Sequence, residues 1–174
     1  MRKTRALAYG AICVALIAVC SWISIEIIPN VPFTMQTFAI FLTAALLPIG
    51  NSVLVIVTYL LLGVINLPVF AGFNTGISCI IGPTGGYLVG FLPTAIIFGM
   101  YYKKGGLLWN TLGICLGLVA CYALGTAWFM YKYTGGIGLG AALNLCVVPF
   151  IIPDLVKGFL AVLLAKRLKP VMKL

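Results

Sequence analysis

The chain has 174 residues, 63% of them hydrophobic and 7% charged, with a mean hydropathy of +1.22. Soluble domains carry about 25% charged residues and disordered chains need low hydrophobicity, so both classes are excluded. The net charge of +9, from 11 Lys and Arg against 2 acids and no His, sits at the chain ends and in short loops, as in a membrane protein and not in a nucleic-acid binder.

Six membrane helices of about 20 residues fit this length and leave no room for a soluble ATPase or enzyme domain. Residues 1–174 therefore read as a single six-helix, all-α transmembrane domain.

The first predicted helix spans 6–26. It follows Arg2, Lys3 and Arg5 and reads as a retained span, since no clean Ala-x-Ala cleavage site follows it. Ala11 and Ala15 lie four residues apart, as do Ala6 and Gly10. Such spacing lets helix backbones approach closely. It serves either packing within the chain or docking of another membrane protein. Glu26 ends this helix as an interfacial residue, and Pro29 and Pro32 break it.

Helices at 34–48 and 52–67 follow, divided by Pro48-Ile49-Gly50-Asn51. Both are short for a span, which implies tilt or shielding by neighbours. The Gly-rich connection 67–84 is mostly uncharged. It is expected to fold back as a lid over the helix ends, the alternative being an apolar loop resting on the bundle.

A fourth helix is predicted at 85–102 and a fifth at 107–130, joined at Lys103-Lys104. Gly82, Gly86 and Gly90, and then Gly113, Gly117, Cys121 and Gly125, recur every four residues and form small faces. The connection 131–149 is the second long, Gly-rich one. The sixth helix spans 150–168, with Pro153 in its first turn, and Asp154 and Lys157 three residues apart on one face.

Lys166, Arg167, Lys169 and Lys173 close the chain. The positive-inside rule then puts both termini in the cytoplasm, demands an even number of spans, and places Lys103-Lys104 inside as well.

Chemistry is tightly limited. No His is present, and no GxxxxGK[ST] run. The six cysteines (Cys13, Cys20, Cys79, Cys115, Cys121 and Cys146) show no CxxC spacing, so neither a metal site nor a catalytic set is expected. A Cys79–Cys146 disulfide on the outer side is left open.

The acid–lysine pair has three readings: a structural salt bridge, a ligand site in which Asp154 accepts N–H groups and Lys157 donates, or a proton relay. Gln36, Asn66, Asn74, Thr75 and Asn144 are uncharged hydrogen-bonding candidates. Trp22, Phe70, Phe73, Tyr87 and Trp128 either wall a pocket or form an interfacial belt. A small-molecule pocket with few polar anchors in apolar walls is the default site.

The run Gly82-Pro83-Thr84-Gly85-Gly86-Tyr87-Leu88-Val89-Gly90-Phe91 resembles the signature of the BioY family, the biotin-specific substrate-binding (S) components of energy-coupling factor (ECF) transporters. So do Met35-Gln36-Thr37-Phe38 with Leu46-Leu47-Pro48, Gly63 through Pro68-Val69-Phe70, and Pro153-Asp154-x-x-Lys157.

The resemblance implies a six-helix S-component fold in the cell membrane, with biotin bound near the outer face. It also implies a transmembrane coupling protein of the EcfT type and two cytoplasmic ATPases as partners. By the same resemblance Asp154 and Lys157 hold the vitamin, Asn74 matches a polar residue of the third connecting loop, and Ala11 and Ala15 meet the coupling protein. Gln36 and Tyr87 complete the candidate substrate-binding set. Another vitamin for the same scaffold, or an autonomous ion-coupled carrier, are the rival readings.

Overall fold

The computed structural model describes residues 3–28, 31–132, 136 and 138–172. Arg2, Pro29 and Lys173 lie outside them, as does part of the 131–149 connection.

Among the described residues the architecture is eight helices and one β-hairpin, in the order α1 (Lys3–Trp22), β1 (Ser24–Ile28), β2 (Val31–Thr34), α2 (Gln36–Leu46), α3 (Ile49–Val64), α4 (Ile77–Ile81), α5 (Gly85–Tyr102), α6 (Leu107–Lys132), α7 (Leu139–Cys146) and α8 (Val148–Met172). A 3-10 turn, Ala71–Phe73, precedes α4. Of these, α1, α5, α6 and α8 are long and apolar enough to cross a membrane, while α2 and α3 are shorter apolar helices.

The first helix is shorter than the apolar run suggests. It ends at Trp22, and Glu26 lies in β1, paired with Pro32 of β2 in an antiparallel register. Two local causes act together. The Ser24–Ile28 segment is rich in β-branched residues, and a residue preceding proline is pushed toward extended backbone, which applies to both Ile28 and Val31. The hairpin is anchored at its base, where the Met35 N–H donates to the carbonyls of Cys20 and Ile23 at 3.2 Å each.

Helix α2 is the centre of the bundle, packed on α8, α5 and α1. Ten of its eleven residues are buried, so it touches other helices and not lipid. That is why a helix this short is stable here. Leu47 is extended before Pro48, and the Ser52 hydroxyl of α3 lies 3.2–3.3 Å from the carbonyls of Thr43, Leu47 and Pro48, its single proton serving one of them at a time at the end of α2.

The small-residue rows of the fourth and fifth predicted helices pack within the chain. A Cβ on Gly90 would stand 3.1 Å from the Cys121 Cα, and one on Gly86 would meet the Leu124 carbonyl at 2.8 Å as well as the Trp128 side chain. The two backbones thus meet without intervening side chains. Gly82 leaves this row, because its neighbour is the Ser78 carbonyl of α4.

The substitution Gly86→Ala forces this contact apart and is expected to cost about 1–3 kcal/mol by overpacking. Gly140→Ala, with nothing within 4 Å of the new Cβ, is the matched control. Thermal unfolding of both variants in detergent checks the difference.

The last helix starts two residues earlier than predicted, at Val148, so Pro153 sits in the helix interior and not in its first turn. The one-turn spacing of Asp154 and Lys157 is unaffected.

The two ends of the bundle differ in charge. Lys103, Lys104, Lys166, Arg167 and Lys169 gather at one end, where Lys169 Nζ lies 4.4 Å from the Tyr102 ring centre. The Tyr9 hydroxyl donates to the Met172 carbonyl at 3.0 Å, so the start of α1 and the end of α8 meet at that same end. The hairpin, α4 and α7 lie at the opposite end.

Candidate functional site

A cavity of about 270 Å3 lies at the hairpin end of the bundle. It is closed by β2, the 71–73 turn and α4, and walled by α2, α5, α6 and the start of α8. The 67–84 connection does fold over the helix ends, with Asn74, Ser78 and Cys79 lining the cavity. From the second long connection Cys146 lines it. Cys79 and Cys146 are both free thiols, so the disulfide left open by the sequence is not formed.

The deep wall holds the only two charges in the described core. Lys157 and Asp154 are 4% and 5% exposed, and Lys157 Nζ donates to Asp154 Oδ1 at 2.8 Å. A buried charge persists only when paired and hydrogen-bonded, and both conditions are met. Lys157 Nζ also donates to the Thr34 carbonyl at 2.7 Å and lies 3.8 Å from the Phe33 ring centre, so α8 is tied to β2. The carboxylate is braced from two other helices. Thr37 of α2 donates to Oδ1 at 3.1 Å, and Tyr122 of α6 donates to Oδ2 at 2.8 Å.

Counting donors and acceptors gives the chemistry of the site. An ammonium has three N–H groups, and a carboxylate has about four acceptor positions. The protein uses two of the former and three of the latter. One donor and one acceptor remain on two side chains that both line the cavity. Their complement is a ligand edge that presents an N–H beside a C=O, as an amide or urea does.

Gln36 also lines the cavity. It is 5% exposed. Its Nε2 donates to the Tyr59 hydroxyl at 2.6 Å, which donates onward to the Val69 carbonyl at 2.9 Å, while its Oε1 accepts from Thr34 at 3.0 Å. This chain fixes the cavity floor to α3 and to the 65–76 connection.

Tyr87 lines the cavity with its hydroxyl 3.1 Å from the Thr126 hydroxyl. A Cβ on Gly125 would overlap its ring, so the small residue makes room for the aromatic one. Asn74 also lines the cavity, at its exposed rim, with Nδ2 donating to the Ala71 carbonyl at 2.8 Å.

Of the aromatic candidates, Phe70 and Tyr87 line the cavity, but Trp22, Phe73 and Trp128 do not. Trp22 stacks on Phe73 at 5.0 Å and donates to the Pro68 carbonyl, and Trp128 donates to the Gly82 carbonyl at 2.9 Å. The two tryptophans therefore pin the connections that roof the cavity. Asn66, Thr75 and Asn144 are not among the lining residues.

Thr34 and Tyr122 are not among the sequence candidates, and Thr37 enters there only within the Met35-Gln36-Thr37-Phe38 run. The one available signal was Tyr122, an aromatic hydroxyl in mid-helix and not in an interfacial belt.

Ala11 and Ala15 lie far from this chemistry. Both are exposed on α1, beside Leu7 at 70% and Ile12 at 63% exposure.

Comparison with known proteins agrees along the whole chain. The family model described as "BioY family" matches residues 1–174. The "Biotin transporter BioY" of Thermotoga maritima is 42% identical over 95% of this chain and 96% of its own length. The "Probable biotin transporter BioY" of Pyrococcus horikoshii is 38% identical over 96% of this chain and 98% of its own. A crystal structure of the S-component for biotin from an ECF-type ABC transporter superposes with a TM-score of 0.85 at 28% identity, covering 97% of this chain and 93% of that one. This multi-pass membrane protein belongs to the BioY family.

Proposed function

We propose that this chain is the biotin-binding S-component of an ECF-type ABC importer, and that Asp154 and Lys157 grip the ureido group of the vitamin. The observation that carries the assignment of residues is a buried ion pair that lines the cavity and has one donor and one acceptor not used by the protein. The ureido group supplies an N–H to Asp154 Oδ2 and its carbonyl to Lys157 Nζ. The ring and the apolar chain then lie among Phe70, Leu88, Phe91 and Leu118, where burial contributes about 25 cal/mol per Å2. Tyr87, Gln36 and Asn74 complete the set, as wall, floor brace and rim.

In this reading the chain crosses the bilayer six times, through α1, α2, α3, α5, α6 and α8, as one domain with both termini cytoplasmic. The basic end faces the cytoplasm, and the cavity opens toward the exterior. Hydrolysis of ATP belongs to two cytoplasmic partner ATPases, and a transmembrane coupling protein docks on the Ala11–Ala15 face of α1.

A second vitamin or an ion-coupled carrier cycle has no comparable support. The described residues hold Glu26 and Asp154 as their only acids, which is too few for a relay.

Calorimetric titration of the purified chain in detergent is the test. Saturable one-to-one binding of biotin, with thiamine and riboflavin silent, is the expected outcome. Binding of either of those in place of biotin would overturn the ligand assignment.

A further inference from the structure

We infer that the cavity reads the ureido end of its ligand and leaves the other end unclaimed, so that biotin amides with a neutral or cationic tail are ligands of this protein alongside the free acid. This rests on the function proposed above and concerns how far along the molecule recognition extends.

Among the described lining residues Lys157 is the one basic group, set against Asp154 and Glu26. Lys157 lies at the buried end, at 4% exposure, with a carboxylate oxygen 2.8 Å away and a second protein acceptor at 2.7 Å. An anionic tail brought to that ammonium meets the Asp154 carboxylate beside it, and like charges at that range repel. A neutral N–H and C=O edge meets no such penalty. The ureido ring is therefore placed deep, and the tail runs outward.

At the outward end the cavity is bounded by Glu26, Asn74 and Ser78, all exposed. The lysine closing α6, Lys132, is not a lining residue and lies over the Trp128 and Tyr131 rings, at 5.3 Å and 5.5 Å from their centres. The tail thus leaves the cavity past a carboxylate with no fixed counter-charge of its own. Removing the negative charge of the tail forfeits no ion pair there, and replacing it by an ammonium adds an attraction to Glu26.

Three probes titrated against the full chain in detergent at low ionic strength test this: biotin, biotinamide and biotin 5-aminopentylamide. Biotinamide is expected within about threefold of biotin, because each tenfold requires about 1.4 kcal/mol and no contact of that size is lost. The aminopentylamide is expected to gain about two- to fivefold over biotinamide, the range of an exposed ion pair, and to lose that gain in Glu26→Gln and at high salt.

If biotin binds but biotinamide is more than about tenfold weaker, the carboxylate has a partner and the inference is overturned while the proposed function stands. An aminopentylamide gain that persists in Glu26→Gln overturns the role of Glu26. If biotin itself does not bind a folded chain, the proposed function fails and this inference with it.

Discussion

Asp154→Asn is expected to weaken biotin binding at least about tenfold, or about 1.4 kcal/mol. The carboxamide keeps the shape of the side chain but replaces one acceptor oxygen with a donor. In one orientation that donor faces the Tyr122 hydroxyl, and in the other it faces Lys157 and Thr37. Either way Lys157 loses its counter-charge while remaining buried, and in the second orientation it also loses a hydrogen-bond acceptor and keeps the Thr34 carbonyl.

Breaking one half of a buried pair costs about 3–5 kcal/mol, whereas replacing both halves by apolar groups is often neutral or stabilising. Asp154→Asn and Lys157→Met alone should therefore melt earlier, and Asp154→Leu combined with Lys157→Met should recover stability. All three should bind biotin at least about tenfold more weakly than the parent chain. That separation is what a purely structural salt bridge does not produce. A double variant that regains both stability and affinity would identify the pair as a scaffold element only.

The second large effect concerns α1. Ala11→Leu combined with Ala15→Leu should leave biotin affinity intact but abolish most biotin uptake in cells that contain the coupling protein and its ATPases. Both side chains are exposed, so the larger ones cause no internal overlap. The buried face of the same helix, Cys13, Val14, Ile17 and Ala18, is untouched. What changes is how closely another helix approaches, since an Ala-x-x-x-Ala face permits backbone contact and a Leu-x-x-x-Leu face does not. Uptake assays paired with binding to the purified variant measure the two quantities separately. Normal uptake would remove this face from the docking account.

The helical part of this fold was legible in the sequence because composition and proline spacing dictate it. The short second helix was legible too, and its cause is now clear. Gln36–Leu46 is shielded on nearly all sides, so it need not satisfy the length rule for a lipid-facing span.

The hairpin is not legible from Pro29 and Pro32 as helix punctuation alone, because prolines also push the residues before them toward extended backbone. The short helices α4 and α7 lie in Gly-rich segments whose local pattern is too brief to mark them. Of the site, Asp154 and Lys157 stood out because charge is rare within membrane segments. Tyr122 and Thr37 are neutral and blend into apolar helices, and Thr34 contributes a backbone carbonyl, which no side-chain pattern records.

The central claim is settled most directly by a crystal structure of the biotin-bound protein. The ureido ring is expected at the deep end of the cavity, with an N–H within about 3.2 Å of Asp154 Oδ2 and the carbonyl within about 3.2 Å of Lys157 Nζ, and the valeryl carboxylate pointing past Glu26. A vitamin lying the other way round, with its carboxylate on Lys157, or a vitamin outside this cavity altogether, would contradict it.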